Sequence, residues 1–155
     1  MTDIGLLEEA LTRSVIGVFY DVYNTLGYGF LEHIYKAALE HELRANGHRV
    51  AREVSVTVIY KGIELASQRL DLLVDDRLVV EVKSRSNRPE VGSAQLFNYL
   101  RATNLEIGLL LHFGQRPSFK RIVCLNSWRR QAVTLDEHGG AGRYAHDETD
   151  QSENI

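Results

Sequence analysis

The chain is poor in cysteine: there is one among 155 residues. That excludes an internal disulfide and any zinc site built on two thiolates. A reducing, cytoplasmic setting is the expectation. Cys124 lies in the apolar run Ile122-Val123-Cys124-Leu125 and reads as a buried, inert thiol. No run of 18 apolar residues occurs, so no membrane-spanning helix is expected. The start, Met1-Thr2-Asp3 followed by Glu8 and Glu9, has neither the basic opening nor the apolar core of a secretory signal. Internal repeats and low-complexity tracts are absent. So is a Gly-rich phosphate loop, because Gly27-Tyr28-Gly29 lacks the downstream pattern such loops need. No Ser/His/Asp set stands out, and His33, His41 and His48 read as surface or supporting residues.

The apolar share of 44% and the charged share of 25% are those of an ordinary globular protein. The length suits one domain, placed at residues 1–135. Residues 136–155 are acidic, Gly-rich and short of large apolar side chains, and are expected to form a flexible tail. The net charge of −3 conceals a strong division. Residues 1–82 hold 8 basic and 13 acidic residues, 83–130 hold 9 and 2, and 131–155 hold 1 and 6. The middle block, net +7, can face a polyanion while the whole chain stays acidic.

Apolar residues at steps of three and four, from Leu7 through Leu11, Val15, Val18 and Val22 to Leu26, predict a first helix. Leu31, Ile34, Tyr35, Ala38, Leu39 and Leu43 predict a second, stopped by Asn46-Gly47. Val54, Val56 and Val58 then alternate with Ser55 and Thr57, the period of a strand. Further strands are expected over about 64–74 and 78–84, forming an antiparallel meander. A third helix follows from Ser86 to about Ala102, with Pro89 and Glu90 in its first turn. Leu105–Phe113 is an almost unbroken apolar run, the mark of a strand buried on both faces, and Phe119–Leu125 predicts a fifth. The result is an α/β domain: a mixed sheet of about five strands flanked by helices, with two helices at the N-terminus.

The chemistry concentrates on Asp71, late in the second strand, and on Glu81-Val82-Lys83 in the third. Alternation sets Glu81 and Lys83 on one face. Two carboxylates from neighbouring strands suit a hard divalent cation such as Mg²⁺, and an ammonium beside them can orient a water for phosphodiester hydrolysis. Charges amid Leu78-Val79-Val80 and Val82 are unusual for a central strand and call for a partner. Gly29, Glu32 and Tyr35 recur at spacings of three, read as one face of the second helix, with Glu32 in its first turn. Gln95 and Tyr99 share a face of the third helix and can hydrogen-bond a phosphate or brace the lysine. Arg85, Arg88, Lys120 and Arg121 are the candidates for phosphate contact.

This order of motifs resembles the GxxExxY family, a branch of the PD-(D/E)XK nuclease superfamily, over about residues 5–130. Gly29, Glu32 and Tyr35 carry the resemblance, then Asp71, Glu81-Val82-Lys83, and Gln95 with Tyr99. The stretches 68–74 and 108–114 are similar as well. Leu70 stands where many superfamily members have proline. The resemblance implies a restriction-endonuclease-like core and a Mg²⁺-dependent nuclease in which Mn²⁺ substitutes. By that likeness Asp71 and Glu81 bind metal, Lys83 acts on the attacking water, Glu32 completes the site, and Gln95 with Tyr99 matches the Gln-x-x-x-Tyr element of the exonuclease branch. Nucleic acid, with DNA foremost, is the expected partner, and a homodimer or larger complex the expected setting. The alternative is a non-catalytic nucleic-acid-binding or assembly subunit that keeps the fold.

The metal reading carries a geometric condition. A two-residue loop at Asp75-Asp76 would oppose Asp71 to Val80 and turn Glu81 to the other face. A three-residue loop, or a bulge, would oppose Asp71 to Glu81.

Overall fold

The computed structural model describes residues 7–85 and 89–126. Arg88, the start of the third helix before Pro89, and the acidic tail lie outside the described residues. The elements are helices α1 (Glu9–Leu26) and α2 (Glu32–Ala45), strands β1 (Val50–Tyr60), β2 (Ile63–Val74) and β3 (Leu78–Lys83), helix α3 (Pro89–Arg101), and strands β4 (Ile107–Phe113) and β5 (Pro117–Val123). They form one sheet in the order β1-β2-β3-β4-β5. The first three strands are an antiparallel meander. β3 and β4 run parallel, because the α3 crossover returns the chain to the same end of the sheet. β5 is antiparallel to β4. Among the described residues no helix is long and apolar enough to cross a membrane.

Two cores sandwich the sheet. Leu72, Val74, Leu78, Val80, Val82, Ile107, Leu109 and Leu111 pack with α1 and α2. Leu70, Val79 and Leu110 pack with Leu96, Tyr99 and Leu100 of α3. The continuous apolar run in β4 follows from this, since both its faces are covered. α3 approaches β4 closely: a Cβ on Gly108 would lie 2.9 Å from Leu96 Cδ1.

β1 and β2 are longer than alternation alone predicts, because their outer halves form an exposed ribbon. Only Leu72, Leu73 and Val74 of β2 pair with β3. Leu72 and Leu70 lie two residues apart yet join different cores. The switch falls at Asp71. Across the ladder, between the pairs Arg52↔Leu72 and Val54↔Leu70, Glu53 has a left-handed backbone, φ 52°. Glu53 and Asp71 thus mark the point where the ribbon twists away from β3.

Gly29 does not belong to a helix face, as its spacing from Glu32 suggested. It lies in the α1–α2 turn at φ 108°, a backbone region that favours glycine. Tyr35 is fully buried and structural. Its hydroxyl donates to the Gly27 carbonyl at 2.7 Å and accepts from Phe30 N–H at 3.2 Å. Its ring stacks on Phe113, with centroids 4.1 Å apart. The turn and the first turn of α2 are thereby pinned to the core, which places the side chains that α2 directs at the sheet.

Candidate active site

The loop between β2 and β3 has three residues. Val74 pairs with Leu78 and Leu72 with Val80, so continuation of the register opposes Asp71 to Glu81. Asp75 and Asp76 take the left-handed positions, with φ of 51° and 56°. Aspartate tolerates that region better than most residues, and Arg77 is spared it. The loop therefore has the three residues that, by continuation of the register, oppose Asp71 to Glu81.

At Asp71 and Glu81 the ladder is replaced by side chains. Asp71 N–H donates to Glu81 Oε1 at 3.2 Å, and Val82 N–H donates to Asp71 Oδ2 at 2.8 Å. Where the strands part, the two carboxyl groups fill the gap and take up main-chain donors that would otherwise lack partners. Glu81 is 4% exposed. Burial, and next the charge of Asp71, push its carboxyl up to about 8, against the pull of the Asp71 N–H and the Lys83 ammonium. A hydrogen bond between the two acid side chains acts in the same raising direction. Such a pair holds a proton between its members or needs a cation.

Lys83 follows on the Glu81 face and has no hydrogen-bond or ion-pair partner among the described residues. A different lysine, one that motif reading passed over, is engaged. Lys36 of α2 lies 3.1 Å from Asp71 Oδ1 and 3.1 Å from Glu53 Oε1. Burial works to lower its pKa, but the hydrogen bond and charge of Asp71, with those of Glu53, raise it. A signal for it existed: Lys36 stands four residues after Glu32, on the same helix face.

Glu32 is carried to the far end of β3, where its Oε1 accepts the Ser84 N–H at 3.4 Å. It does not join Asp71 and Glu81 as a third ligand. Among the described residues no three His, Cys, Asp or Glu side chains are grouped to hold a metal. The buried Tyr35, one turn on, fixes the start of α2, so the reach of Glu32 ends at the Ser84 backbone.

Gln95 and Tyr99 do come together. Gln95 Nε2 donates to the Tyr99 hydroxyl at 2.7 Å, and that hydroxyl donates to Gln68 Oε1 at 3.0 Å. Burial, then the charge of Glu81 and that of Asp71, raise the Tyr99 pKa, while Gln95 opposes the shift. The tyrosine therefore lies within the field of the acid pair. Gln68 is a further member of this chain, and its strand alternation with Leu70 was the available signal.

A family profile of the PD-(D/E)XK nuclease superfamily fits residues 9–122. The chain belongs to the PD-(D/E)XK nuclease superfamily. The match stands at the level of the superfamily, and its restriction-endonuclease-like core accounts for the sheet order and the helices on both faces. No curated protein matches the sequence. Among solved structures, SSO0001 is similar at 23% identity and a TM-score of 0.49, over 72% of this chain and 60% of that one. The chain thus spans less than two thirds of SSO0001. An alkaline exonuclease from Laribacter hongkongensis, LHK-Exo, is similar at 12% identity and a TM-score of 0.38, over 88% and 81% of the two chains.

The basic residues of this superfamily member divide. Arg85 is exposed just past β3, and its carbonyl lies 3.0 Å from His112 Nε2. Lys120 is half-buried on β5. Arg121 is 3% exposed and donates to the Leu7 carbonyl. It is a structural tie between β5 and the start of α1, facing protein where phosphate contact was expected. Adjacent residues on a strand point to opposite faces, so Lys120 and Arg121 could not both meet one phosphate track.

A Ser/His/Asp set also exists, though none was evident in the sequence. Ser14 Oγ lies 2.7 Å from His48 Nε2, and His48 Nδ1 lies 2.7 Å from Asp75 Oδ2. Asp75 Oδ1 accepts the Arg49 N–H at 2.8 Å. Ser14 sits in the interior of α1, where neighbouring N–H groups are committed to the helix and none is left to stabilise an oxyanion. The set works as a staple between α1 and the β2–β3 loop that fixes the register at Asp71. Residues 14, 48 and 75 are too far apart in sequence for any spacing rule to link them.

Proposed function

We propose that the protein is a metal-dependent nuclease that hydrolyses phosphodiester bonds of nucleic acid, with DNA as the substrate class and Mg²⁺, or Mn²⁺ in its place, as the cofactor. One observation carries this reading: a buried Glu81 carboxyl lies against the half-buried Asp71 carboxyl where β2 and β3 part, and burial and the charge of Asp71 push Glu81 up to about 8. An acid pair so placed is poorly matched to its surroundings until a dication joins it. The donors fit a hard cation, being carboxylate oxygens with further positions open to water.

Asp71 and Glu81 would hold the ion, which when bound lowers the pKa of a water and offsets charge on the phosphate. Lys83, on the Glu81 face and without a hydrogen-bond or ion-pair partner among the described residues, orients the attacking water and stabilises it as it loses its proton. Tyr99, held between Gln95 and Gln68, presents a hydroxyl to the same side. Glu32 acts from the end of β3. The Ser84 hydroxyl there is buried with no partner among the described residues, and a water shared with Glu32 would satisfy it. Arg85 and Lys120 supply phosphate contacts, as does Arg88. A homodimer or larger complex would supply the second active site that duplex cleavage requires.

The test is cleavage of single-stranded, duplex and branched DNA and RNA with Mg²⁺, Mn²⁺ or chelator. Asp71→Asn, Glu81→Gln and Lys83→Ala should each abolish the metal-dependent cleavage while DNA binding persists. Cleavage at the wild-type rate by all three variants would overturn the reading.

A further inference from the structure

The Lys36–Glu53 pair has no part in the mechanism above, yet the fold holds it against the site at a cost. Glu53 has a left-handed backbone inside a strand, a strained conformation for a residue other than glycine. Its side chain is 41% exposed, so it contributes little to any core. What the conformation achieves is a contact: the Glu53 carboxylate reaches the Lys36 ammonium at 3.1 Å. The same ammonium, 14% exposed, holds Asp71 Oδ1 at 3.1 Å. The backbone of Lys36 is fixed through its neighbour Tyr35, which is pinned at both ring and hydroxyl. Asp71 is therefore the shared partner of a built-in cation and of the proposed ion.

We propose that Lys36 is an internal counter-cation that competes with the divalent ion for Asp71, and that Glu53 sets how strongly it competes. This inference rests on the metal-binding reading and concerns affinity for the ion. Without a dication, Lys36 holds the Asp71 side chain in place through the 3.1 Å contact. On metal binding its positive charge opposes the incoming one, and Glu53 offers it an alternative partner. The arrangement predicts opposite effects from two substitutions. Lys36→Met keeps the length and helix propensity of the side chain and removes the charge, so binding should tighten. Glu53→Gln removes the alternative partner, so Lys36 stays on Asp71 and binding should weaken. Loss of one positive charge at a partly buried ligand corresponds to roughly tenfold in affinity or more. The Glu53 effect should be smaller, about threefold, because that carboxylate is half-exposed.

Mn²⁺ alone is the probe, with free ion counted by electron paramagnetic resonance in the absence of nucleic acid. Wild type, Lys36→Met, Glu53→Gln and Glu81→Gln are titrated in parallel, and thermal midpoints are recorded with and without Mn²⁺. Lys36→Met should bind about tenfold more tightly, melt lower than wild type when metal-free, and gain more on Mn²⁺ addition. Glu53→Gln should bind about threefold more weakly. Equal or weaker binding by Lys36→Met, with wild-type binding that Glu81→Gln abolishes, overturns this inference and leaves the metal site standing. If Lys36→Met does not fold, unchanged or tighter binding by Glu53→Gln overturns it. Absence of Mn²⁺ binding in wild type, Lys36→Met and Glu53→Gln alike overturns the metal-site reading and this inference with it.

Discussion

Replacing Glu81 with glutamine should make the metal-free protein more stable at neutral pH, and the gain should grow with pH. Glutamine has the shape of a protonated glutamate, and its Oε1 can still accept the Asp71 N–H that reaches Glu81 at 3.2 Å. What it lacks is a proton to lose. In the unfolded chain Glu81 ionises at its ordinary value of 4.5, while in the folded chain burial and Asp71 raise it to about 8. Between those values the folded state holds one more proton than the unfolded state, so stability falls as pH rises, by about 1.4 kcal/mol per unit. At pH 7 the accumulated loss is about 3 kcal/mol. Above pH 8 it levels off on the order of 5 kcal/mol. These are sizeable fractions of the 5–15 kcal/mol typical of a whole domain.

Urea unfolding at pH 5, 7 and 9 in chelator measures this directly. The two proteins should nearly coincide at pH 5 and separate by about 3 kcal/mol at pH 7, with the variant more stable. Titrating groups that do not interact with Glu81 are common to both and cancel in the difference. Saturating Mg²⁺ should reverse the order, because the ion stabilises the ionised pair and only wild type retains it. Parallel stability–pH curves, or a variant less stable at every pH, would refute the argument that Glu81 is buried against a second acid.

Two other predictions concern the scaffold. Tyr35→Phe removes the hydroxyl that donates to Gly27 and accepts from Phe30, leaving the buried stacking on Phe113 intact. It should cost roughly 1–3 kcal/mol in chemical denaturation, and a loss below 0.5 kcal/mol would show the turn to be held otherwise. Asp75→Asn should destabilise by roughly 1–3 kcal/mol at pH 7. Burial works to raise the Asp75 pKa, but His48, the Arg49 N–H and Arg77 bring it below 3.8, so its contribution is present above that value and lost as pH falls through the folded pKa. The gap between Asp75→Asn and wild type should therefore narrow as the pH is lowered below 3.8 in urea unfolding, and a gap that does not narrow on acidification would refute the staple's dependence on the carboxylate.

The order of elements was legible because each kind carries its own period. Leu11, Val15, Val18 and Val22 recur as a helix requires, and all are buried. The run Leu109-Leu110-Leu111 belongs to a strand covered on both faces. The outer ribbon was less legible. Ile59, Ile63 and Leu65 are more than 60% exposed, so apolar character there does not report burial. Parity alone tied the proposed metal site to the length of one loop. The identity of the left-handed residues, Asp75 and Asp76, was not determined by parity. Arg121 shows the converse limit: its charge suggested a partner outside the protein, whereas the carbonyl that it satisfies lies 114 positions away.

The roles of Lys36 and of the Ser14–His48–Asp75 staple share a reason for not standing out in the sequence: each acts between elements that only the tertiary fold brings together. Both act on the β2–β3 hairpin, one at Asp71 and one at the loop that sets its register. That concentration has a physical reason. Asp71 and Glu81 oppose folding when both are ionised, so the strands bearing them need restraint from elsewhere. Tyr35 fixes α2, α2 presents Lys36 to Asp71, and α1 holds Asp75 through His48. On the proposed metal-binding reading the site must be unsatisfied without its ion, and these contacts would keep that unsatisfied state folded. If the proposed ion binds there, stability without it and affinity for it are two readings of one charge balance, and Lys36, Glu53 and Glu81 are the residues through which the proposal is tested.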